Sequence, residues 1–409
     1  KGFLRLNRIN DILNDYILKE EYLLPGFGNI IQAQHYQPVK SSKKLPVSIE
    51  NWEQQARAKL ADGPYWYVAG GAGSSSTMIA NRDAFQRWFI QPRVFRDVDT
   101  RDTSVTILEQ SFPYPLLLAP IGVQSIVHAD AEIASAKAAA QMNIPFITSS
   151  ASSRSMEEIA EAMGNKPRWF QLYWGKDNDV TASMLKRAEQ AGYSAIVITL
   201  DTSMLSWREQ DLENAYLPFI QAEGIANYIT DPTFRSKLKK SPEDDVMEAV
   251  QYFLRIFSNA SLTWNDLAFI REHTQLPILL KGILHAGDAE LAMYHGVDGI
   301  IVSNHGGRQV DGAISALDAL AEIAQVTQGR IPLLMDSGIR RGSDILKALA
   351  LGAQAVLLGR PYIYGLAVAG QKGVKEVIRN LLADFDLTMA LSGISSVSEI
   401  DRSLLTTQK

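Results

Sequence analysis

The sequence contains no cysteine among its 409 residues. This absence excludes disulfides, thiolate nucleophiles, and zinc or iron–sulfur sites that are ligated by cysteine. Histidine is also scarce, with six residues and no His-rich tract, and we therefore predict no metal site. No apolar run approaches the roughly 18 residues that a membrane-spanning helix needs, so no membrane association is predicted.

An excess of positive charge is missing as well. Forty Lys and Arg residues stand against 45 Asp and Glu residues, which gives a formal net charge of −5. General attraction to nucleic acid is therefore not predicted, and an anionic ligand would need a local cluster of cations. We expect a cytoplasmic protein. Because the sequence begins with Lys1 and not with Met, a targeting segment upstream stays compatible with this expectation.

Eight short apolar runs recur along the chain and predict eight β-strands. They cover residues 115–119, 145–148, 169–172, 195–199, 277–280, 299–302, 332–335 and 355–358. Helical patterns alternate with them, for example at 131–141, 180–191 and 344–351. Continuous apolar strands are typical of a parallel sheet that helices cover. Eight repeats favour a closed (β/α)8 TIM barrel over an open doubly wound sheet of about five or six strands.

Three further segments complete the predicted α/β organisation. Residues 1–47 are predicted as an N-terminal helical extension, 48–404 as the barrel and 405–409 as a C-terminal tail. A helical pattern that begins at Ser48 is expected to stop at Gly63-Pro64. The long segment 206–274 follows the fourth strand, at the end where barrel loops cover the active site. It therefore predicts a lid, with a purely structural packing insertion as the alternative.

Polar residues follow the predicted strands one after another. They are Gly122, Ser149, Gln171 with Tyr173, Thr199 with Asp201, Lys281, Ser303 with His305, Asp336, and Gly359 with Arg360. In a TIM barrel the carboxyl ends of the strands carry the catalytic groups. So many polar groups around one barrel mouth predict a bound organic cofactor.

Two Gly/Arg turns predict a phosphate site. Residues 336–342 read Asp-Ser-Gly-Ile-Arg-Arg-Gly, and Gly359-Arg360 follow the eighth strand. The loops after the seventh and eighth strands are the usual phosphate site of this fold, where glycine admits backbone N–H groups and arginine adds charge-assisted bonds. Two tight turns with solvated arginines are the alternative. The coincidence of both turns with the expected positions favours phosphate.

The run Ser-Asn-His-Gly-Gly-Arg-Gln at 303–309 is the strongest single signal for catalysis. His305 could transfer a proton near neutral pH, and Arg308 could hold a carboxylate beside it. A histidine with a purely structural set of hydrogen bonds is the alternative. Asp201 could orient His305 or simply cap a helix. Arg208 is a second candidate cation for a carboxylate, or a solvated charge.

Together these residues resemble the FMN-dependent family of enzymes that oxidise L-2-hydroxy acids. The similarity extends over about residues 48–404 and is carried by 303–309, 171–173, 200–202, 336–342 and 358–361. Within the family, the segments 119–123, 198–202, 207–208 and 227–232 are most similar to the lactate 2-monooxygenase branch. Gly122 stands where several oxidases of the family carry alanine.

The resemblance implies a role for each matching residue. His305 would be the catalytic base and Asp201 its partner, and Lys281 would face N1 and O2 of the flavin. The substrate would be bound by Tyr67, Tyr173, Arg208 and Arg308. The other implied FMN contacts are Pro120, Ile121, Gly122, Ser149, Gln171, Thr199 and Ser303 at the ring and ribityl chain, and Asp336, Gly338, Arg340, Gly359 and Arg360 at the ribityl and phosphate.

The implied activity is FMN-dependent oxidation of L-lactate, or of another small L-2-hydroxy acid, with O2 as the acceptor. A lactate 2-monooxygenase would give acetate, CO2 and water, whereas an oxidase would release the 2-oxo acid and H2O2. The resemblance also implies a homotetramer or a homo-octamer. From another class, a flavin-free isomerase could use the phosphate loops on the same barrel.

Overall fold

The computed structural model describes residues 26–37 and 44–407. Residues 1–25 and 38–43 of the predicted extension, and 408–409 of the predicted tail, lie outside the described residues. The helices are α1 (Phe27–Tyr36), α2 (Ile49–Lys59), α3 (Asp62–Ala69), α4 (Ser76–Gln86), α5 (Ala131–Met142), α6 (Met156–Met163), α7 (Asn178–Gln190), α8 (Glu209–Glu213), α9 (Ala226–Ile229), α10 (Pro232–Ser236), α11 (Val246–Phe257), α12 (Leu267–His273), α13 (Ala286–Tyr294), α14 (Ala316–Thr327), α15 (Gly342–Ala350) and α16 (Arg360–Leu391). The strands are β1 (Trp88–Ile90), β2 (Val105–Ile107), β3 (Gln110–Phe112), β4 (Leu116–Leu118), β5 (Phe146–Ser149), β6 (Arg168–Leu172), β7 (Ile196–Thr199), β8 (Ile278–Ile283), β9 (Gly299–Val302), β10 (Leu333–Met335), β11 (Ala355–Leu358) and β12 (Leu405–Thr407).

The eight predicted strands form a closed barrel. Strands β4 to β11 pair in parallel with their neighbours in chain order, and β11 pairs with β4 to close the ring. The predicted (β/α)8 TIM barrel is therefore confirmed. Nearly every strand residue is buried, because side chains on one face fill the barrel and those on the other meet the helices. The helical patterns at 131–141, 180–191 and 344–351 correspond to α5, α7 and α15.

A hairpin covers the amino-terminal end of the barrel. Strands β2 and β3 pair antiparallel, and their side chains Ile107 and Phe112 pack on residues inside the barrel such as Trp169 and Leu334. This apolar cover closes the end that carries no predicted site residue. In the described part of the chain, the polar groups that follow the strands are therefore accessible only from the carboxyl end of the barrel.

The described part of the N-terminal extension is a helix that packs against α16. The backbone N–H of Gly28 donates to Asp386 Oδ2 over 2.8 Å, and His35 contacts Asn380 at 2.8 Å. Asp386 also forms a buried ion pair with Arg101 at 2.7 Å. Helix α16 changes direction at Ala369 and Gly370, where the backbone leaves helical geometry. Helix α1, the described helix of the extension, therefore packs on the body of the barrel.

Two local expectations were wrong. Gly63-Pro64 does not stop helix α2, which begins after Ser48 and already ends at Lys59. The two residues lie in the first turn of α3, where proline lacks only an N–H that would have no helical partner. Residues 405–407 do not form a tail, because they pair as β12 with β1. The pairing of 405–407 depends on a distant segment that local composition does not report, whereas α3 shows that a Gly-Pro step is compatible with the first turn of a helix.

The insertion after β7 lies over the carboxyl end of the barrel. It contains α8 to α11, whereas α12 packs against α7 as the helix that leads into β8. Its residues Arg208, Phe219 and Phe257 line the cavity described below. Among the described residues, no helix is both long and apolar enough to cross a membrane.

Candidate active site

A deep cavity opens at the carboxyl ends of the barrel strands. It contains about 1180 Å³ of space, counted to its open mouth. The predicted site residues that line it are Tyr67, Pro120, Ile121, Gly122, Ser149, Tyr173, Arg208, Lys281, His305, Arg308, Asp336, Gly338, Arg340, Gly359 and Arg360. A few polar groups converge here among apolar side chains, as in sites that bind an organic cofactor together with a small substrate.

The other predicted site residues lie directly behind the cavity wall. Gln171 accepts a hydrogen bond from Ser149 Oγ at 2.9 Å and donates to Thr199 Oγ1 at 2.8 Å. Ser303 Oγ accepts from Lys281 Nζ at 2.9 Å. Asp201 contacts His305. Gln171, Ser303 and Asp201 therefore each orient a neighbour that faces the cavity, and Thr199 holds Gln171.

His305 is held as a proton acceptor. Its Nδ1 lies 2.8 Å from Asp201 Oδ1, and because a carboxylate can only accept, Nδ1 carries the hydrogen and Nε2 is left with a free lone pair. Burial, followed by the charge of Lys281, lowers the pKa of His305 against the raising effect of Asp201. The imidazole is thus neutral near pH 7. Its backbone is strained at φ 58°, which is uncommon outside glycine and fits a functional position.

The charges below His305 form a second pair. Lys281 Nζ lies 3.0 Å from Asp336 Oδ2, and both side chains are buried. Burial acts to lower the pKa of Lys281, but the charges of Asp336 and Asp201 raise it. Burial acts to raise the pKa of Asp201, but His305 and Lys281 hold it below its usual range. Lys281 and Asp201 are therefore both charged at neutral pH.

Two arginines and two tyrosines line the upper part of the cavity. The Arg308 guanidinium lies over the Tyr67 ring at 5.2 Å, and Tyr173 stacks on His305 with ring centroids 6.5 Å apart. Burial and the charges of Arg208 and Arg360 lower the pKa of Arg308 to about 9. Such a lowered pKa means that the cation lacks a counter-charge, which a bound carboxylate would supply.

Arg340 and Arg360, at the predicted phosphate loops, likewise lack a negatively charged partner within the described residues. Burial lowers the pKa of Arg360 to about 10 and also lowers that of Arg340. Within the described residues neither side chain forms an ion pair with a carboxylate; Arg360 donates to the carbonyl oxygens of Val68, Gly70 and Gly306. Two buried cations beside glycine-rich turns fit a phosphate group. The donor set therefore fits FMN.

Several supporting residues had no sequence signal of their own. Buried Asn81 on α4 exchanges two side-chain hydrogen bonds with Asn304, at 2.8 and 2.7 Å, and Asn304 Oδ1 also accepts from Gly307 N. This pair fixes the loop that carries His305. Asp211 on α8 lies 3.7 Å from Arg208, and burial raises its pKa. An Asn or Asp is common on exposed helices, so only the tertiary contacts reveal these positions.

The structure explains why glycine, and not alanine, stands at position 122. A Cβ at this position would lie closer than van der Waals contact to the backbone oxygen of Ala151, which accepts a hydrogen bond from Val123 N. Alanine would consequently require the backbone at 151 to move. Gly122 is thus matched to the neighbouring loop of this chain.

The fold and the site together define a TIM-barrel oxidoreductase that uses FMN. The family model of FMN-dependent dehydrogenases matches residues 56–407, and the chain belongs to that family. It is 44% identical over 359 residues to the L-lactate oxidase of Lysinibacillus sphaericus, and the alignment covers 88% of this chain and 92% of the relative. It is 43% identical over 383 residues to an FMN-dependent alpha-hydroxy acid dehydrogenase of Penicillium citrinum, with 92% and 95% coverage.

A solved structure gives the same result. The crystal structure of a mandelate oxidase aligns with a TM-score of 0.79 and 38% identity, covering 89% of this chain and 99% of that chain. The protein is thus an FMN-dependent enzyme that oxidises 2-hydroxy acids. Membership of this class excludes the flavin-free isomerase that was considered as an alternative from the sequence. The roles of individual residues stay predictions.

Proposed function

We propose that the enzyme oxidises L-lactate with O2 as the electron acceptor and acts as a lactate 2-monooxygenase. The observation that supports a small 2-hydroxy acid most directly is the proton acceptor His305 in the same cavity as Arg208 and Arg308. The observation that supports retention of the products is the insertion over the cavity, which contributes Phe219 and Phe257 to the cavity wall.

The side chains that line the cavity have separate roles in binding the substrate. Arg208 and Arg308 bind the carboxylate, and Tyr67 and Tyr173 contact the substrate oxygens, which fixes its Cα in the cavity. Burial raises the pKa of Tyr173, so this phenol keeps its proton and remains a hydrogen-bond donor. When bound, FMN accepts two electrons from the substrate and transfers them to O2.

Proton transfer is assigned to His305. Nε2 takes a proton from the substrate, and the ionised Asp201 at 2.8 Å stabilises the imidazolium that results. Lys281 keeps its charge beside Asp336 and supplies positive potential at the floor of the cavity. Its predicted position facing N1 and O2 of the flavin is consistent with this charge.

The second candidate is an L-lactate oxidase. Its support is the identity of 44% with a relative of that name. The two activities differ in what becomes of the first products: both begin with lactic acid and O2 giving pyruvic acid and H2O2. In the monooxygenase these two react before release and give acetic acid, CO2 and water.

The deciding experiment is aerobic turnover of L-lactate with quantification of acetate, pyruvate and H2O2. Acetate equal to the lactate consumed, with little free peroxide, is expected for the proposed monooxygenase. Stoichiometric pyruvate and peroxide would instead establish the oxidase. Glycolate and L-mandelate, assayed in parallel, test whether lactate is the preferred substrate. The oligomeric state, proposed as a homotetramer or homo-octamer, is measured by light scattering.

A further inference from the structure

A buried amide is one of the groups that join the insertion to the barrel. Asn227 on α9 is fully buried, and its Nδ2 donates to Ser149 O at 3.2 Å, Ser150 O at 3.3 Å and Ser152 Oγ at 2.9 Å. Its Oδ1 accepts from Met156 N at 2.7 Å. Both ends of the amide are therefore used, and all its partners lie between the last residue of β5 and the first residue of α6.

A second fastening lies four residues further along the insertion. Asp231 is fully buried, and its Oδ2 accepts from Ser183 Oγ at 2.7 Å and from Arg187 at 3.1 Å. Arg187, on α7 of the barrel, also donates to Asn227 O at 2.7 Å and to Thr230 Oγ1 at 2.9 Å. The segment 227–231 is thus fixed to two consecutive barrel units.

An aromatic cluster connects this segment with the cavity. The ring of Tyr228, next to Asn227, lies 4.7 Å from Phe253, and Phe253 lies 5.2 Å from Phe219. Phe219 in turn lies 5.3 Å from Phe257. Phe219 and Phe257 line the cavity. Because packed aromatic side chains move little independently, the position of the segment sets the position of this ceiling.

The same amide also contacts the opposite wall of the cavity. Ser149, whose carbonyl oxygen accepts from Asn227, lines the cavity together with Ala151. Asn227 therefore joins the ceiling made by the insertion to the wall made by the barrel. An opening of the ceiling would break the four hydrogen bonds that this amide forms with buried backbone and side-chain groups, which is costly.

We propose that Asn227 is a positioning residue, which fixes the inner part of the insertion as a static ceiling and thereby retains the 2-oxo acid and H2O2 in the cavity. The retention part rests on the proposed monooxygenase function. In the retained step, the peroxide O–O bond and the C1–C2 bond of pyruvic acid break, and C2 gains an oxygen. Carbon is oxidised, peroxide is reduced, and the products are acetic acid, CO2 and water.

The test compares Asn227→Asp with the wild type in the full FMN-loaded protein. This change keeps the shape and the Oδ1 acceptor but replaces the NH2 donor with an oxygen that faces three acceptors. Ser152→Ala is the milder second variant, since it removes one partner only, and it stands in if N227D does not fold. Glu243→Gln is the matched control, because the exposed pair of Glu243 with Arg235, at 2.8 Å, lies within the insertion.

Three measurements are made on each protein. Amide hydrogen exchange over residues 217–231 should become about tenfold faster in N227D and less so in S152A. The anaerobic rate of flavin reduction by L-lactate should stay within about twofold, because His305 and the arginines are unchanged. The share of lactate released as pyruvate and H2O2 should rise severalfold. E243Q should match the wild type in all three.

Each outcome bears on a different part of the proposal. Unchanged exchange in N227D and S152A would overturn the positioning role of Asn227. Faster exchange with an unchanged ratio of acetate to pyruvate would overturn the link to product retention. A wild type that already releases pyruvate and H2O2 stoichiometrically refutes the proposed monooxygenase and the retention part, whereas the exchange measurement still decides the positioning role.

Discussion

The most direct test of the site is Asp201→Asn. Asp201 does not line the cavity, yet its Oδ1 lies 2.8 Å from His305 Nδ1 and its Oδ2 is buried without a partner in the described chain. Asparagine preserves the size of the side chain but removes the charge that stabilises an imidazolium. Two unit charges about 4 Å apart attract by about 4 kcal/mol at an effective dielectric constant of about 20.

That energy sets the expected loss of rate. Allowing for part of the interaction to be recovered by hydrogen bonding, we expect D201N to reduce its flavin about 100- to 1000-fold more slowly. The pH dependence should change in a defined direction. The carboxylate raises the pKa of His305, so its removal leaves burial and Lys281 to lower that pKa further. Since the active base is neutral, the acid limb of kcat/KM should move to lower pH.

The assay is anaerobic stopped-flow reduction of bound flavin by L-lactate across a pH series. Thr202→Val is the control, because Thr202 Oγ1 also donates to Asp201, at 3.1 Å, but carries no charge. It should cost less than about fivefold. FMN content should be unchanged in both variants. A D201N enzyme with the wild-type rate would refute the assignment of His305 as a base supported by Asp201, and a loss of FMN from D201N would indicate a structural role instead.

Three further changes test the phosphate site, the flavin loop and the docked extension. Arg360→Ala should weaken FMN binding by about 10- to 100-fold while leaving riboflavin binding nearly unchanged, since a charge-assisted bond contributes about 1.5 to 3 kcal/mol; equal losses for both ligands in fluorescence titrations would contradict phosphate contact. Gly122→Ala should destabilise the protein by about 1 to 3 kcal/mol in urea unfolding, because its Cβ would displace the backbone at Ala151, and unaltered stability would show that this loop adapts freely. Asp386→Asn should destabilise the protein by about 3 kcal/mol, because it leaves Arg101 buried opposite a neutral group; an unchanged unfolding midpoint would show that the pair contributes nothing.

Much of the fold could be predicted from local pattern. All eight barrel strands and the helices at 131–141, 180–191 and 344–351 were predicted correctly, because a strand buried on both faces must be continuously apolar and therefore stands out in the sequence. The site residues at the strand ends could be named for a related reason. Parallel strands carry their carboxyl ends to one side, so chain order alone predicts that Lys281, His305 and Arg360 meet.

Other features depended on contacts between distant segments. The pairing of 405–407 with β1 follows from a partner strand that no local pattern names. The same holds for Asn81 beside Asn304. The segment 227–232 carries a family resemblance, but only the structure shows that the amide of Asn227 is fully buried. An asparagine acquires its role only from the donors and acceptors that the fold brings to it.

The sequence by itself thus determined the barrel and, through its family resemblance, the cofactor class. It also named the residues that are predicted to carry the chemistry, because their side chains are chemically distinctive. Only the tertiary structure decided the protonation state of these residues. It left His305 neutral, Lys281 charged and Arg308 short of a counter-charge, since burial and the nearest charges set each pKa. It also decided that the insertion is held over the cavity, since hydrogen bonds between Asn227 and two barrel units hold it there.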